Sequence, residues 1–275
     1  MDLLRVFLFG LCALCTTSIL SAGNYTAGAR ASGLAGATIA LYDFWAVNHN
    51  QAGLARADQS AAGIHTETNF MLPDMNMAVA AYLLPTSKGT FAFSVNHFGN
   101  KLYREGKAGL AYARNFSEQL SAGISLNYLH TNIAEGYGST STLAAEAGII
   151  YTFKPGLQLG VHVFNPTRAV LTTHEYLSMK EHVATVFRAG LAYHFSENTL
   201  ACLELEKTME DRPVVKAGVE YAIRNTIKLR TGFQNNPMIN TLGVGVKTGK
   251  LQIDISAAYH YILGSSPQAG IIYTF

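Results

Sequence analysis

The sequence predicts an all-β protein: a transmembrane antiparallel β-barrel of about 14 strands with an N-terminal segment plugging its lumen. Three observations carry that expectation. Apolar and polar side chains alternate almost without pause from Ser60 onward, short and long connections take turns, and aromatics gather at strand ends, with Phe275 as the last residue. Alternation with a period of two places successive side chains on opposite faces of a strand. In a strand that crosses an outer membrane, the apolar face meets lipid and the polar face meets the lumen.

The final hairpin shows the rhythm most clearly. Leu251, Ile253, Ile255, Ala257, Tyr259 and Tyr261 share one parity, and Gln252, Asp254, Ser256, Ala258 and His260 the other. After a Gly-Ser-Ser-Pro turn, Ala269, Ile271, Tyr273 and Phe275 return to one side. Tyr273 and Phe275 are expected to form the C-terminal signal of an outer-membrane barrel.

Composition narrows the alternatives. In 275 residues, 14% are charged, with 25 glycines and 7 prolines, so the chain is neither disordered nor collagenous. A net charge of +2 without any Lys/Arg cluster gives no footprint for nucleic acid. The start carries Arg5, an apolar run, and then Ser21, Ala22 and Gly23, the pattern of a cleaved signal peptide over residues 1–23. Cys12 and Cys15 leave with it, and Cys202 becomes the single cysteine of the mature chain. An exported protein without an internal disulfide needs another source of stability, here a closed hydrogen-bonded sheet.

Residues 24–58 are rich in Gly and Ala and show no alternation. Leu34, Ile39, Leu41, Phe44 and Trp45 make this stretch too apolar to stay in water, so it is expected to be an ordered plug, or hatch. The barrel then spans 59–275, with strands centred on 64–70, 77–84, 91–98, 107–115, 120–130, 143–153, 157–164, 183–195, 200–206, 214–221, 227–234, 240–247 and the closing pair. Turns after Thr86, Asn115, Lys154, Ser196, Arg224 and Lys247 are short and belong to the periplasmic side. Connections over 99–106, 131–141 and 165–182 are longer and belong outside.

Charges of both signs fall on the inward parity of the later strands: Glu204 and Glu206, Lys216 and Glu220, Lys228 and Arg230, Lys247, then Asp254. Opposite charges on neighbouring strands pair. The expected result is an ion-pair lattice that fills the lumen and holds the plug. An ion-selective constriction, the other reading, requires one sign in excess. About 14 strands give a width between side-chain-filled and water-filled barrels, which suits a plug. Inward histidines are scattered over strands and depths and no His/Cys/Asp cluster has ligand spacing, so neither catalysis, a metal nor a cofactor is expected. The loop at 165–182 mixes apolar and polar residues and reads equally as a lid over the mouth or as an apolar docking surface.

The stretch with Gly28, Gly33 and Gly36, followed by Trp45, Asn48, Asn50, Gln51, Ala52 and Gly53, resembles the hatch of FadL-like outer-membrane barrels. In style it is closest to the PorV/PorQ branch found with type IX secretion in the Bacteroidota. That superfamily carries an Asn-Pro-Ala-Gly hatch motif, and Gln51 stands here where Pro is usual. The resemblance implies two non-enzymatic functions. A PorV-type barrel is an accessory subunit that binds secreted cargo or other outer-membrane and secretion proteins. A FadL-type barrel passes small hydrophobic molecules by passive uptake. Short loops, a charge-balanced lumen and no evident apolar inward stripe favour the first expectation.

Overall fold

The structure is a computed structural model that describes residues 25–136, 138–171, 181–209, 211–224 and 226–275. The signal peptide at 1–23 and residues 172–180 of the external loop lie outside the described residues.

The strands are β1 (Ala61–Thr68), β2 (Asn76–Thr86), β3 (Gly89–Gly99), β4 (Tyr103–Asn115), β5 (Leu120–Ile133), β6 (Gly138–Lys154), β7 (Leu157–Phe164), β8 (Val170–Leu171), β9 (Glu181–His182), β10 (Val186–Ser196), β11 (Thr199–Thr208), β12 (Val214–Arg224), β13 (Ile227–Asn235), β14 (Met238–Thr248), β15 (Leu251–His260) and β16 (Gly264–Thr274). All but β8 and β9 form one closed antiparallel barrel of fourteen strands in sequence order, β16 closing on β1. Strands β8 and β9 make a small ribbon in the external loop. Closure pairs every strand and removes the edges that hydrocarbon cannot solvate. The seam is tied at its base, where the Phe275 N–H donates to Ser60 O at 2.9 Å.

The outer face carries the fold's clearest signature. Leu110, Ile124, Leu242 and Ile255 stand between 60% and 69% exposed, an arrangement that is stable only against lipid. Aromatics ring the end where the termini of the barrel meet, including Tyr82, Phe91, Tyr112, Tyr151, Tyr193 and Tyr273, while Tyr128, Phe187 and Tyr259 stand toward the other. These are the two interfacial girdles of an outer-membrane barrel. Tyr273 and Phe275 stack edge-on at 5.3 Å on the outer face. Among the described residues, no helix is long and apolar enough to cross a membrane.

Several boundaries differ from expectation. Phe70 leaves the first strand and lies in a turn with φ 54°, because β1 ends at Thr68. Residues 138–141, expected in a loop, extend β6, where the β-branched Thr140 suits the pleated conformation. External connections are not uniformly long: Asn235 and Met238 of β13 and β14 are direct partners across a turn of Asn236 and Pro237. The longer external ones are 69–75 and 165–185. Within the barrel pairs, register shifts occur only near the periplasmic ends, at 152/154, 194/196 and 222/224.

Candidate functional site: a plugged lumen between two vestibules

Residues 25–60 fill the lumen, descending from the external end, where Tyr25 donates its hydroxyl to Glu105 near the top of β4, to Ser60 at the base. Two short helices, α1 (Ala29–Gly33) and α2 (Ala46–His49), and a 3-10 turn at Gln51–Leu54 give the segment its local order. Propensity does not build elements this short. The barrel wall does.

Glycines make room for that contact. On the inner face, a Cβ added at Gly218 would stand 2.7 Å from Leu34 O, and one at Gly232 would stand 2.6 Å from Ala35 N. The hatch backbone therefore lies directly on the wall. Inside the hatch, Gly28 has φ +97° and a Cβ there would meet Trp45 Cγ at 2.5 Å, so both its backbone conformation and the indole exclude other residues. Trp45 is 2% exposed, with Phe44 edge-on at 4.9 Å and the His65 ring at 5.7 Å.

The lumen wall carries ion pairs on β10 to β13 and on β15. Glu204 Oε2 accepts the hatch N–H groups of Thr38 at 2.9 Å and Ile39 at 3.0 Å. Its other oxygen lies 3.5 Å from Lys216 Nζ. Arg188 Nε and Lys216 Nζ reach Glu206 at 2.7 and 2.8 Å. Glu220 receives Arg230 at 2.7 Å, Lys228 at 3.1 Å and, from the hatch, Arg30 in a two-pronged contact at 2.8 and 3.1 Å. Arg30 also meets Asp43 at 3.3 Å, and Arg230 continues to Asp254 at 2.6 Å. Such bidentate, desolvated pairs fix geometry more than they add net stability. Lys247, expected in this set, is exposed at the periplasmic rim and takes part in none of the ion pairs among the described residues. Its inward parity was read correctly from the alternation, but its position past the last buried layer leaves it in water.

A second cluster centres on Glu146, which takes Lys107 at 2.7 Å, Asn127 at 2.8 Å and His162 at 3.2 Å. Gln51 of the hatch donates to the same carboxylate at 2.8 Å, a tie that proline at this position could not make. Asn50 donates to Ile39 O at 2.7 Å and Ile149 O at 3.2 Å, and its Oδ1 receives Ala52 N–H at 3.2 Å. Asn48 Oδ1 accepts from Asn96 Nδ2 at 3.3 Å. His49 accepts the Ala27 N–H on Nε2 at 3.1 Å, so its proton sits on Nδ1, facing Thr38 Oγ1 at 3.2 Å. Burial, helped by the positive charges of Arg188 and Lys216, pushes the His49 imidazole down to about 3.

One strand of the wall is apolar, contrary to the expectation from sequence. On β2 every buried inward residue is hydrophobic: Met77, Val79, Ala81 and Leu83. They form one cluster with Trp45, Val47, Leu54 and Ile272, and with Tyr25, Phe44 and Phe98 packed against it. The stripe was hidden because residues 77–84 are apolar on both parities, and alternation cannot mark such a strand. Its signal is the unbroken run itself.

This stripe joins two cavities on opposite sides of the hatch. The external vestibule, ≈ 340 Å³, is lined by Tyr25, Phe70, Met75, Met77 and Phe98 together with Glu67 and Gln268. The periplasmic one, ≈ 520 Å³, is lined by Phe44, Trp45, Ala61, Leu83 and Ile272, with Arg30, Asp43 and Lys247 at its polar side. Sequence reasoning singled out neither Arg30 nor Asp43, although they are isolated charges in a Gly/Ala-rich apolar segment, which is a usable signal. Among the described residues, no group of three or more His, Cys, Asp or Glu side chains is arranged to hold a metal.

A closed sheet with a lipid-facing belt, aromatic girdles and a lumen of mixed character defines a multi-pass outer-membrane β-barrel. The OmpA-like transmembrane domain family matches residues 97–265, and the chain belongs to that family. A search of curated proteins by sequence gave no match. Among solved structures, the barrel is similar to the Pseudomonas putida toluene transporter TodX (TM-score 0.66, 12% identity, covering 90% of this chain and 97% of that one). It is also similar to the CymD monoaromatic hydrocarbon channel (0.67, 14%, 90% and 97%). A Pseudomonas aeruginosa FadL homologue matches in the same way (0.62, 11%, 91% and 97%). At these identities the likeness is one of fold, the FadL-type plugged barrel. TodX and CymD are named as a transporter and a channel, and none of these comparisons supports a secretion-accessory role.

Proposed function

We propose that this barrel is a passive channel for small hydrophobic molecules. The observation that carries the reading is the apolar inner face of β2, which runs from the external vestibule to the periplasmic one while charges line the opposite wall. A hydrophobic solute partitions along such a stripe without stripping water from an ion pair. Trp45 and the hatch residues packed on the stripe close the route in the structure described, so passage requires the hatch to shift on its anchors. The chemistry of the similar channels, whose names refer to toluene and monoaromatic hydrocarbons, is of the same class.

The test places polar atoms on the stripe without changing its shape. Val79→Thr combined with Met77→Gln makes the route compete with water for hydrogen bonds, at roughly 1–3 kcal/mol per unsatisfied group. Uptake of labelled toluene into proteoliposomes is expected to fall several-fold while the barrel stays folded. Toluene flux no greater than in protein-free liposomes, or flux indifferent to these substitutions, overturns the reading.

A further inference from the structure

The external vestibule is selective in its polar atoms. Its lining contains neither lysine nor arginine, and several of its side-chain donors are spent. The Tyr25 hydroxyl donates to Glu105, Asn69 Nδ2 to Met75 O at 3.1 Å, and Thr241 Oγ1 to Gly33 O at 3.0 Å. Gln234 Nε2 turns to Asn236 O at 3.3 Å. Two of its acceptors, Gln268 Oε1 and the Glu67 carboxylate, stand side by side without a cation. Gln268 is 7% exposed and its Oε1 has no hydrogen-bond partner. Glu67, its partner across the β1–β16 pair, takes a side-chain hydrogen bond from Gln268 but joins none of the ion pairs among the described residues. A buried acceptor without a donor is costly, and a carboxylate among aromatic and Met side chains more so.

Resting on the channel reading above, we infer that the external vestibule selects small molecules with an apolar body and a cationic donor head: primary aryl or short alkyl ammonium compounds. The body lies against Phe70, Met75, Met77 and Phe98. The ammonium places its N–H donors toward the Glu67 carboxylate and, once the Gln268 side chain turns, toward its Oε1. The ≈ 340 Å³ cavity is at the small end for ligand sites, which suits a single aromatic ring with a one- or two-atom arm. An anionic amphiphile finds neither lysine nor arginine in the lining to receive it.

The experiment compares benzylammonium, toluene and benzoate, three probes of one size, for binding to the full barrel in detergent by ligand-observed NMR titration. Benzylammonium is expected to bind roughly tenfold tighter than toluene, with benzoate weakest. Glu67→Gln is expected to remove the advantage of benzylammonium and leave toluene unchanged. Equal binding of benzylammonium and benzoate to the native protein overturns the inference, and that comparison needs no variant to fold. An advantage of benzylammonium that persists in Glu67→Gln overturns it as well. The two proposals fail separately. Toluene flux without ammonium preference removes this inference alone, whereas Glu67-dependent benzylammonium binding without any flux keeps the site and removes the channel.

Discussion

Glu204 offers the sharpest test of how the hatch is held. It is 2% exposed on β11, and one of its oxygens accepts two consecutive hatch amides, from Thr38 and Ile39. A hydrogen bond to a charged acceptor contributes about 1.5–3 kcal/mol, so Glu204→Ala removes about 3–6 kcal/mol if nothing replaces it. Water entering the vacated space recovers part, which sets the expected loss near the lower bound, about 3 kcal/mol. Lys216 and Arg188 retain Glu206, so no cation is left unpaired. A loss of about 3 kcal/mol corresponds to roughly a hundredfold increase in the open fraction. Hydrogen exchange read by mass spectrometry on peptides covering 34–41 should accelerate by about that factor, with β11 and β12 peptides unchanged. Glu204→Gln keeps an acceptor and should show about half the free-energy effect. Unchanged exchange in the alanine variant refutes the anchoring argument. Equal acceleration in the strands refutes it differently, by showing that Glu204 stabilises the barrel and not the plug.

Two further outcomes follow from the same geometry. His49 is neutral in the docked hatch and titrates near 6.5 once released, so docking is at full strength above about 6.5 and weakens by about 1.4 kcal/mol per pH unit down toward 3. Bilayer conductance should therefore rise on acidification, and His49→Gln should flatten that dependence; a conductance indifferent to pH over this window counts against it. Gly218→Leu pushes a side chain into the space of Leu34, where even a Cβ stands 2.7 Å from the carbonyl oxygen, and should raise conductance at neutral pH with the barrel's heat-modifiable gel mobility retained. An unaltered current in that folded variant means the hatch does not bear on the wall there.

The period-two rhythm after Ser60 was enough to state the strand number, the lipid-facing parity and the closing hairpin, because each follows from local alternation against a fixed solvent geometry. The inward parity of Glu204, Glu220 and Asp254 was equally legible, since a charge on the lipid face would be prohibitively costly. Which charges meet was not. Arg30 and Glu220 are separated by 190 positions, and only closure of the barrel around the hatch brings them to 2.8 Å. The same holds for Gln51 and Glu146, and for the glycines whose missing side chains admit the hatch backbone. The apolar stripe on β2 was present in the sequence but invisible to a parity argument, because both faces of 77–84 are apolar and only the tertiary structure tells which one meets Trp45 and which meets lipid. Sequence alone determined a barrel with a filled interior. The fold decided which charges grip the plug and that the inner face of β2 is an apolar stripe against Trp45, because both depend on contacts between segments far apart in the chain.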